Sequence, residues 1–275
     1  MMGMAWVDGA FVGPEQPALS AFDHGVLLGD GVYETMAVVD GRAVALDRHL
    51  ARLHDGLARL GIDAPSRWAI LTGVNEVLGA DPLAGRLRIT VTSGPGPLGT
   101  ARGRSGPTLV VSSGPPTVWA PTAKVATVPW TRNERSALAG VKSTSHAENV
   151  VALAAARQHG ADEAMLANTV GELCEGAGSN VFVGIGGRLM TPPVTSGCLP
   201  GVTRALVIEA LGPGAVEETP LPYDALARAN EAFLTSATRG VHPIETVDGT
   251  PLPHCPGPLT GAAAAALARA VSEDG

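Results

Sequence analysis

GVKSTSHAENVVALAAARQHG, residues 140–160, holds Lys142, one of only two lysines in the chain. The other is Lys124, and the remaining 17 of the 19 Lys and Arg residues are arginine. Codon preference accounts for such a bias on a surface. It does not account for a task arginine cannot perform, which is to lose a proton and act as an amine nucleophile. Beyond Lys142, Ser145 and Glu148 stand three apart ahead of an apolar run. That pattern is a capping box, and it predicts a helix to about residue 159, closed by Gly160. A lysine just ahead of a helix start lies near the positive end of its dipole, where a second positive charge is disfavoured. A neutral amine there suits Schiff-base chemistry with an aldehyde.

On the N-terminal side of that stretch, VYETMAVVD and RAVALD read as strands joined at Asp40-Gly41, a pair that accepts the positive φ angles of a tight hairpin. Asp47 follows as an expected N-cap, with Leu50, Leu53, Leu57 and Leu60 at helical spacing and Gly61 as the stop. A second helix is expected within 66–78. RLRITVTS and PTLVVSS read as strands around the loop GPGPLGTARGRSG. The proline-rich GPPTVWAPTA, 114–123, has neither periodicity and is assigned as a linker. The expected domains are therefore 1–113 and 124–275. In the second, AKVATVPW, DEAMLAN, NVFVGI, RLMT and EAFLTSA read as strands. LPGVTRALVIEALG reads as a loop entering a helix, and GAAAAALARAV as a C-terminal helix. The class is α+β.

Hydrophobic residues make up 45% of the 275 and charged residues 16%, enough for a sizeable core. The net charge of -7 argues against nucleic acid as the main partner. Cys174, Cys198 and Cys255 are odd in number and lack metal-ligand spacing, so they read as reduced thiols. No apolar run approaches a membrane span, and MMGMAWVDGAFVG lacks the pattern of a signal peptide. A cytoplasmic protein is expected. GIGGRL, 184–189, fails as a dinucleotide fingerprint, because Leu189 occupies the third glycine position and a hairpin follows. No Gly-Lys-Ser/Thr occurs. His49 and His54, five apart, read as solvated or capping side chains rather than ligands.

The chief biological aldehyde for a lysine Schiff base is pyridoxal 5'-phosphate. It requires an acid for its ring nitrogen and amides with an arginine for its phosphate. Glu175 in LCEGAGSNVF meets the first demand, flanked by Gly176 and Gly178, which permit close approach to a flat ring. Taken alone it reads more readily as a surface carboxylate in a tight turn. Gly201-Val202-Thr203 opens a predicted helix, where free amides favour an anion. Taken alone it is an ordinary helix start.

The order of DHGVLLGDGVYET, LDRHLARL, GVKSTSHAEN, ELCEGAGSNVF, LPGVTRALVIE and FLTSATRGVHPI resembles the class IV, fold-type IV pyridoxal-phosphate enzymes. These are the branched-chain aminotransferases, D-amino acid aminotransferases and 4-amino-4-deoxychorismate lyases. The resemblance covers about residues 5 to 250. It implies a two-domain fold with a smaller N-terminal domain, the cofactor in the cleft between domains, and a homodimer. It implies Lys142 as the Schiff-base lysine, Glu175 at the ring nitrogen and Arg48 on the phosphate. Val202 and Thr203 supply amides to that phosphate, with Ser236, Ala237 and Thr238 as a further contact. Within the family, branched-chain enzymes commonly carry Tyr five residues after the lysine, where this chain has Ala147. The lyases carry Thr where this chain has Thr35, which makes Thr35 a candidate for proton transfer; a core-facing strand residue is the other reading. Tyr33, Arg88 and Arg102 are the expected substrate contacts, with Arg104, Arg132 and Arg239 in or near cleft-lining segments. The overall pattern is most similar to aminodeoxychorismate lyases, which release pyruvate to give 4-aminobenzoate in folate synthesis. A class IV aminotransferase acting on D-amino acids, branched-chain amino acids or (R)-amines is the alternative. A non-catalytic relative is disfavoured because Lys142, Glu175 and Arg48 are all present.

Overall fold

The structure is a computed structural model describing residues 3–13 and 15–273. Positions 1 and 275, which bound the expected domains, lie outside that set. The chain forms two compact units. The first takes the chain up to Thr117 together with Val141–His146; the second takes Val118–Gly140 and the chain from Ala147 on. Residues 115–122 carry no regular element. Among the described residues, no helix is long and apolar enough to cross a membrane.

The first unit is an antiparallel sheet with two helices. Its strands are β1 (Ala5–Val7), β2 (Ala10–Val12), β3 (Gly31–Val39), β4 (Arg42–Ala43), β5 (Arg86–Thr92) and β6 (Thr108–Gly114), in the order β2-β1-β6-β5-β3-β4. The helices are α2 (Leu46–Leu60) and α3 (Arg67–Ala80), preceded by the single turn α1 (His24–Leu27). The β3–β4 hairpin turns at Asp40 (φ 49) and Gly41 (φ 76), as the Asp-Gly pair predicts. Strand alternation sends Val32, Met36, Leu87, Ile89, Val91 and Val111 to one face, where Leu50, Leu53 and Leu57 of α2 and Ile70, Val74 and Val77 of α3 cover them. Burial of each such side chain contributes roughly 1.5–3 kcal/mol. Gly61 stops α2 at φ 64, as expected. The expected N-cap is displaced. Asp47 lies inside the helix and pairs with Arg67 on the surface, and the cap position is Ala45, left-handed at φ 53. The tight turn out of β4 sets that backbone, so geometry overrides the capping preference. Ser66 caps α3 through its side chain.

The second unit is a mixed sheet. Its strands are β7 (Ala123–Arg132), β8 (Glu163–Asn168), β9 (Leu173–Gly176), β10 (Asn180–Ile185), β11 (Arg188–Thr191), β12 (Val216–Glu218), β13 (Glu231–Ser236), β14 (Gly240–Val247) and β15 (Thr250–Pro251). The order is β12-β11-β10-β13-β14-β7-β8-β9, with β15 on β14. β7 runs parallel to β8 and β14. Three helices belong to it: α4 (Ala147–Gln158), α5 (Val202–Leu211) and α6 (Pro258–Glu273). Ala152 and Ala156 let α4 lie close on β7 and β8, against Ala126, Ala164 and Leu166. Gly186 and Gly187, both at positive φ, turn β10 into β11, which accounts for the failed dinucleotide fingerprint.

Lys142, expected in the C-terminal domain, belongs to the first unit. Its segment fills the open edge of β3 where β4 does not reach. Tyr33 N donates to Lys142 O at 2.9 Å, Thr144 N donates to Gly31 O at 2.9 Å, and Val32 bridges Ser143. Those backbone bonds assign the segment. The expected capping box is replaced by other contacts. The Ser145 hydroxyl donates to Gly29 O at 3.0 Å, and the Glu148 carboxylate lies 3.9 Å from Arg132.

Candidate active site

In the first unit, β3 and the Lys142 segment assemble one cluster. The Tyr33 ring is its centre. Lys142 Nζ lies 4.5 Å from the ring centroid and Arg88 Cζ 3.7 Å from it. Both are cation–π contacts. The Tyr33 hydroxyl is 2.7 Å from His146 Nε2, with the two rings edge to face. The β3–β5 register sets Thr35 opposite Arg88 and Tyr33 opposite Thr90, so these residues share the sheet face away from the apolar core. Arg88 Nε donates to Thr90 Oγ1 at 3.1 Å. Arg88 keeps an exposed surface, yet protein crowding its guanidinium pushes its pKa below the ordinary range, opposed by the Tyr33 phenol. The Lys142 segment is tied at Gly29 (φ 67), whose carbonyl accepts from Thr144 Oγ1 at 2.8 Å. A Cβ at Gly29 would come within 2.7 Å of Ser145 Oγ, so only glycine permits that approach.

Behind this face, Glu34 is fully buried. Arg52 donates Nε to Oε1 at 2.8 Å and Nη2 to Oε2 at 2.7 Å, and His49 Nδ1 lies 2.6 Å from Oε2. These hydrogen bonds overcome burial and hold the Glu34 carboxyl below the usual carboxylate range. His49, expected to be solvated or capping, is instead buried in this triad. His54 meets the carbonyl of Leu50 one turn back, at 2.7 Å. Arg48 stands exposed in the first turn of α2. Arg102 grips Asp30 with Nε and Nη2, both at 2.7 Å, and its Nη1 caps α2 at Leu60 O and Gly61 O. That fork holds the Asp30 carboxyl low.

In the second unit, Glu175 sits in β9, where its strand pairs with β8 at Leu166. The glycine-rich context read as a turn; the backbone is extended and Glu175 is 8% exposed. Oε1 accepts from Arg132 Nε at 3.0 Å and Oε2 from Leu199 N at 2.9 Å. Arg132 is thus engaged with the acid rather than standing open. Leu199 leads into α5, and its carbonyl accepts from Asn180 Nδ2 at 2.8 Å. Gly201 is the N-cap of α5 and has no side chain to close it; a Cβ there would meet Asn180 Oδ1 at 2.0 Å. The first helical bond runs from Ala205 N to Gly201 O, so the amides of Val202 and Thr203 are the outward groups of a helix start. Asn180 pairs with Thr235, which brings the α5 entry beside the end of β13. There Ser236, Ala237 and Thr238 form the half-buried turn into β14. Thr235 Oγ1 is buried without a hydrogen-bond partner. The thiols are spectators: Cys198 is pushed up to about 11 by burial, and Cys174 is raised by the same cause.

The groups of the second unit fit pyridoxal phosphate: a carboxylate oriented by two donors, and a helix start beside the end of β13, where a buried hydroxyl lacks a partner. The first unit holds a primary amine, that of Lys142. The structure brings Glu175, Val202, Thr203 and Ser236–Thr238 together in one unit, and Lys142, Tyr33, Thr35 and Arg88 in the other. Sequence reasoning missed His146, Arg132 as the partner of Glu175, and the Glu34 triad. Only His146, four residues past Lys142, stands close enough in sequence to have been a signal.

Residues 31–247 match the profile of the family described as amino-transferase class IV. The chain belongs to that family. It is a pyridoxal-phosphate-dependent enzyme of the aminotransferase and lyase class, with the fold-type IV architecture. It is 34% identical over 252 residues to a putative branched-chain-amino-acid aminotransferase of Methanocaldococcus jannaschii, covering 89% of this chain and 88% of that one. It is 29% identical over 257 residues to an aminodeoxychorismate lyase of Bacillus subtilis, covering 89% and 87%. Among solved structures, the fold IV-transaminase CpuTA1 of Curtobacterium pusillum superposes with a TM-score of 0.81 at 30% identity, covering 94% of this chain and 93% of that one.

Proposed function

We propose that this class IV enzyme is an aminodeoxychorismate lyase, releasing pyruvate from 4-amino-4-deoxychorismate to give 4-aminobenzoate. The observation that carries the reading is the face shared by Thr35, Tyr33 and Arg88, with the Lys142 amine over the Tyr33 ring. Bound pyridoxal phosphate supplies an electron sink for a carbanion next to nitrogen. Lys142 would carry the cofactor through its amine, and the same amine is the group that would take the proton from the substrate carbon bearing nitrogen. Glu175, oriented by Arg132 and the Leu199 amide, keeps a proton on the ring nitrogen. Val202, Thr203, Ser236, Ala237, Thr238 and Arg48 hold the phosphate. Arg88, over the Tyr33 ring, meets a substrate carboxylate as a bidentate partner. The Thr35 hydroxyl, on the face it shares with Tyr33 and Arg88, assists proton transfer. Arg102 is committed to Asp30 and α2 and orders the loop 94–106 instead.

Transamination is the second reading, favoured by the higher identity to the putative aminotransferase, 34% against 29%. Against its branched-chain form stands Ala147, whose methyl group has no hydroxyl to offer a cofactor. Purified enzyme given aminodeoxychorismate is expected to produce fluorescent 4-aminobenzoate. Keto acid from D-alanine or leucine with 2-oxoglutarate, and no 4-aminobenzoate, replaces the lyase reading with the second.

The proposal includes a homodimer. Phe22, Val26 and Leu28 are 55%, 60% and 43% exposed within one short segment of the first unit. Such an apolar face suits a second copy. Light scattering is expected to give a dimer mass, and Phe22→Asp with Val26→Asp to shift it to monomer. A monomeric native protein rejects this part.

A further inference from the structure

A buried cluster in the second unit takes no part in the chemistry above. Glu163 and Arg239 form an ion pair at 3.2 Å with side chains only 2% and 6% exposed. Burial raises the Glu163 pKa and lowers that of Arg239, each partner opposing the shift of the other. Such a pair is costly to desolvate, and well-packed apolar residues in its place are often as stable or more so. Stability alone is therefore a weak account of it.

Its connections point elsewhere. On one side, Glu163 holds the chain that follows Glu175. Its carboxylate accepts from Ser179 Oγ at 3.0 Å and from the Gly178 amide. Gly176 packs directly over it: a Cβ there would lie 3.1 Å from Glu163 Cγ and 2.3 Å from Ser179 Oγ. On the other side, Arg239 is the residue after Thr238, and its amide donates to Ser236 O at 3.2 Å. The guanidinium carbon lies over the Trp119 ring, 3.9 Å from its centroid, and Trp119 Nε1 donates to Thr238 O at 3.0 Å. His242 completes the enclosure. Its Nε2 faces Ala120 O at 2.8 Å, and a carbonyl can only accept, so Nε2 carries the hydrogen and Nδ1 is left to accept from Arg239 Nη1 at 3.4 Å. Burial lowers the His242 pKa, which keeps a second positive charge away from Arg239; Asp162 acts on both from outside the pair.

We propose that Glu163 and Arg239 are positioning residues for the cofactor, one ion pair fixing the strand of Glu175 against the turn Ser236–Thr238. The ring-nitrogen end and the phosphate end of the cradle are thereby held at one spacing. The inference rests on the assignment of those two ends under the proposed function, and not on whether the reaction is elimination or transamination.

The test separates positioning from stability. Holoenzyme is stripped of cofactor and titrated back with pyridoxal phosphate, and thermal unfolding of the stripped protein is recorded in parallel. Glu163→Gln and Arg239→Met each leave a buried partner uncompensated, so both melting temperature and cofactor affinity fall. In the double variant Glu163→Gln with Arg239→Met, the melting temperature recovers toward the parent while the dissociation constant stays about tenfold raised, the scale of losing a group that orients a binding side chain. An affinity that recovers with the melting temperature, or that never changes, overturns the proposal. Arg239→Lys serves where the double variant does not fold: weakened affinity in a stable protein supports the proposal, and parental affinity overturns it. Glu175→Gln is the control on the assignment. An unaltered cofactor spectrum and affinity in that variant removes the ring-nitrogen end, and the inference with it. An altered spectrum there beside parental binding in the double variant sinks the inference alone.

Discussion

Lys142→Ala is expected to lower turnover by about four orders of magnitude and to abolish covalent attachment of the cofactor. The proposed function puts two tasks on the one amine, bond formation to the aldehyde and removal of a proton, so no neighbouring group is expected to restore both. Lys142→Arg is equally inactive, because a guanidinium stays charged. Lys124, the only other lysine, stands exposed on β7. The loss is chemical rather than structural. The segment is held by the backbone of residue 142 through the Tyr33 amide, and by the hydroxyls of Thr144 and Ser145. Truncation removes only the contact with the Tyr33 ring, about 0.5–2 kcal/mol at a partly exposed site. Borohydride reduction followed by peptide mapping is expected to locate the cofactor adduct on the peptide containing Lys142. An adduct on Lys124, or none, refutes the assignment. A variant that loses activity only in proportion to its loss of folded protein refutes the catalytic role.

The features legible in the sequence are those whose cause is local. Leu50, Leu53 and Leu57 mark α2 because the helix repeat is written within a few turns. Asp40-Gly41 marks the hairpin because positive φ restricts the residue types. Lys142 stood out because its chemistry is unlike that of the arginines around it. What was not legible depends on distant partners. The three-residue strands β1 and β2 exist because β1 pairs with β6, more than a hundred residues along the chain. Glu175 read as part of a turn because Gly176 and Gly178 flank it, and only pairing with β8 draws it into a strand. Its partner Arg132 comes from β7, 43 residues earlier. The edge of β3 that captures the Lys142 segment is a vacancy in a sheet, which no residue pattern records. Tertiary pairing overrode propensity at each of these places.

The Glu34 triad is the other site of large expected effect. Glu34→Ala destabilises the cofactor-free protein by about 3–5 kcal/mol, since it removes the buried carboxylate on which Arg52 and His49 converge. The exposed Arg67–Asp47 pair, which joins the starts of α3 and α2 and is 54% and 82% exposed, contributes under about 1 kcal/mol, and Arg67→Ala is its control. The pH dependence follows from the direction of the shift. The Glu34 carboxyl is depressed in the folded protein, so the unfolded chain binds its proton first as pH falls. The triad therefore stabilises fully above the ordinary carboxyl value of 4.5 and loses its contribution as pH falls from there through the folded value. Urea unfolding from pH 7 down to pH 3 should accordingly show the parent losing stability in acid more steeply than Glu34→Ala. A loss below about 1 kcal/mol at pH 7, or parallel acid limbs in the two proteins, rules this account out. Glu34 lies between Tyr33 and Thr35 on β3, so the same variant slackens the strand that carries the Tyr33 ring against Lys142 and sets Thr35 opposite Arg88. Its residual activity should therefore fall even where enough folded protein remains, and excess pyridoxal phosphate should not restore it.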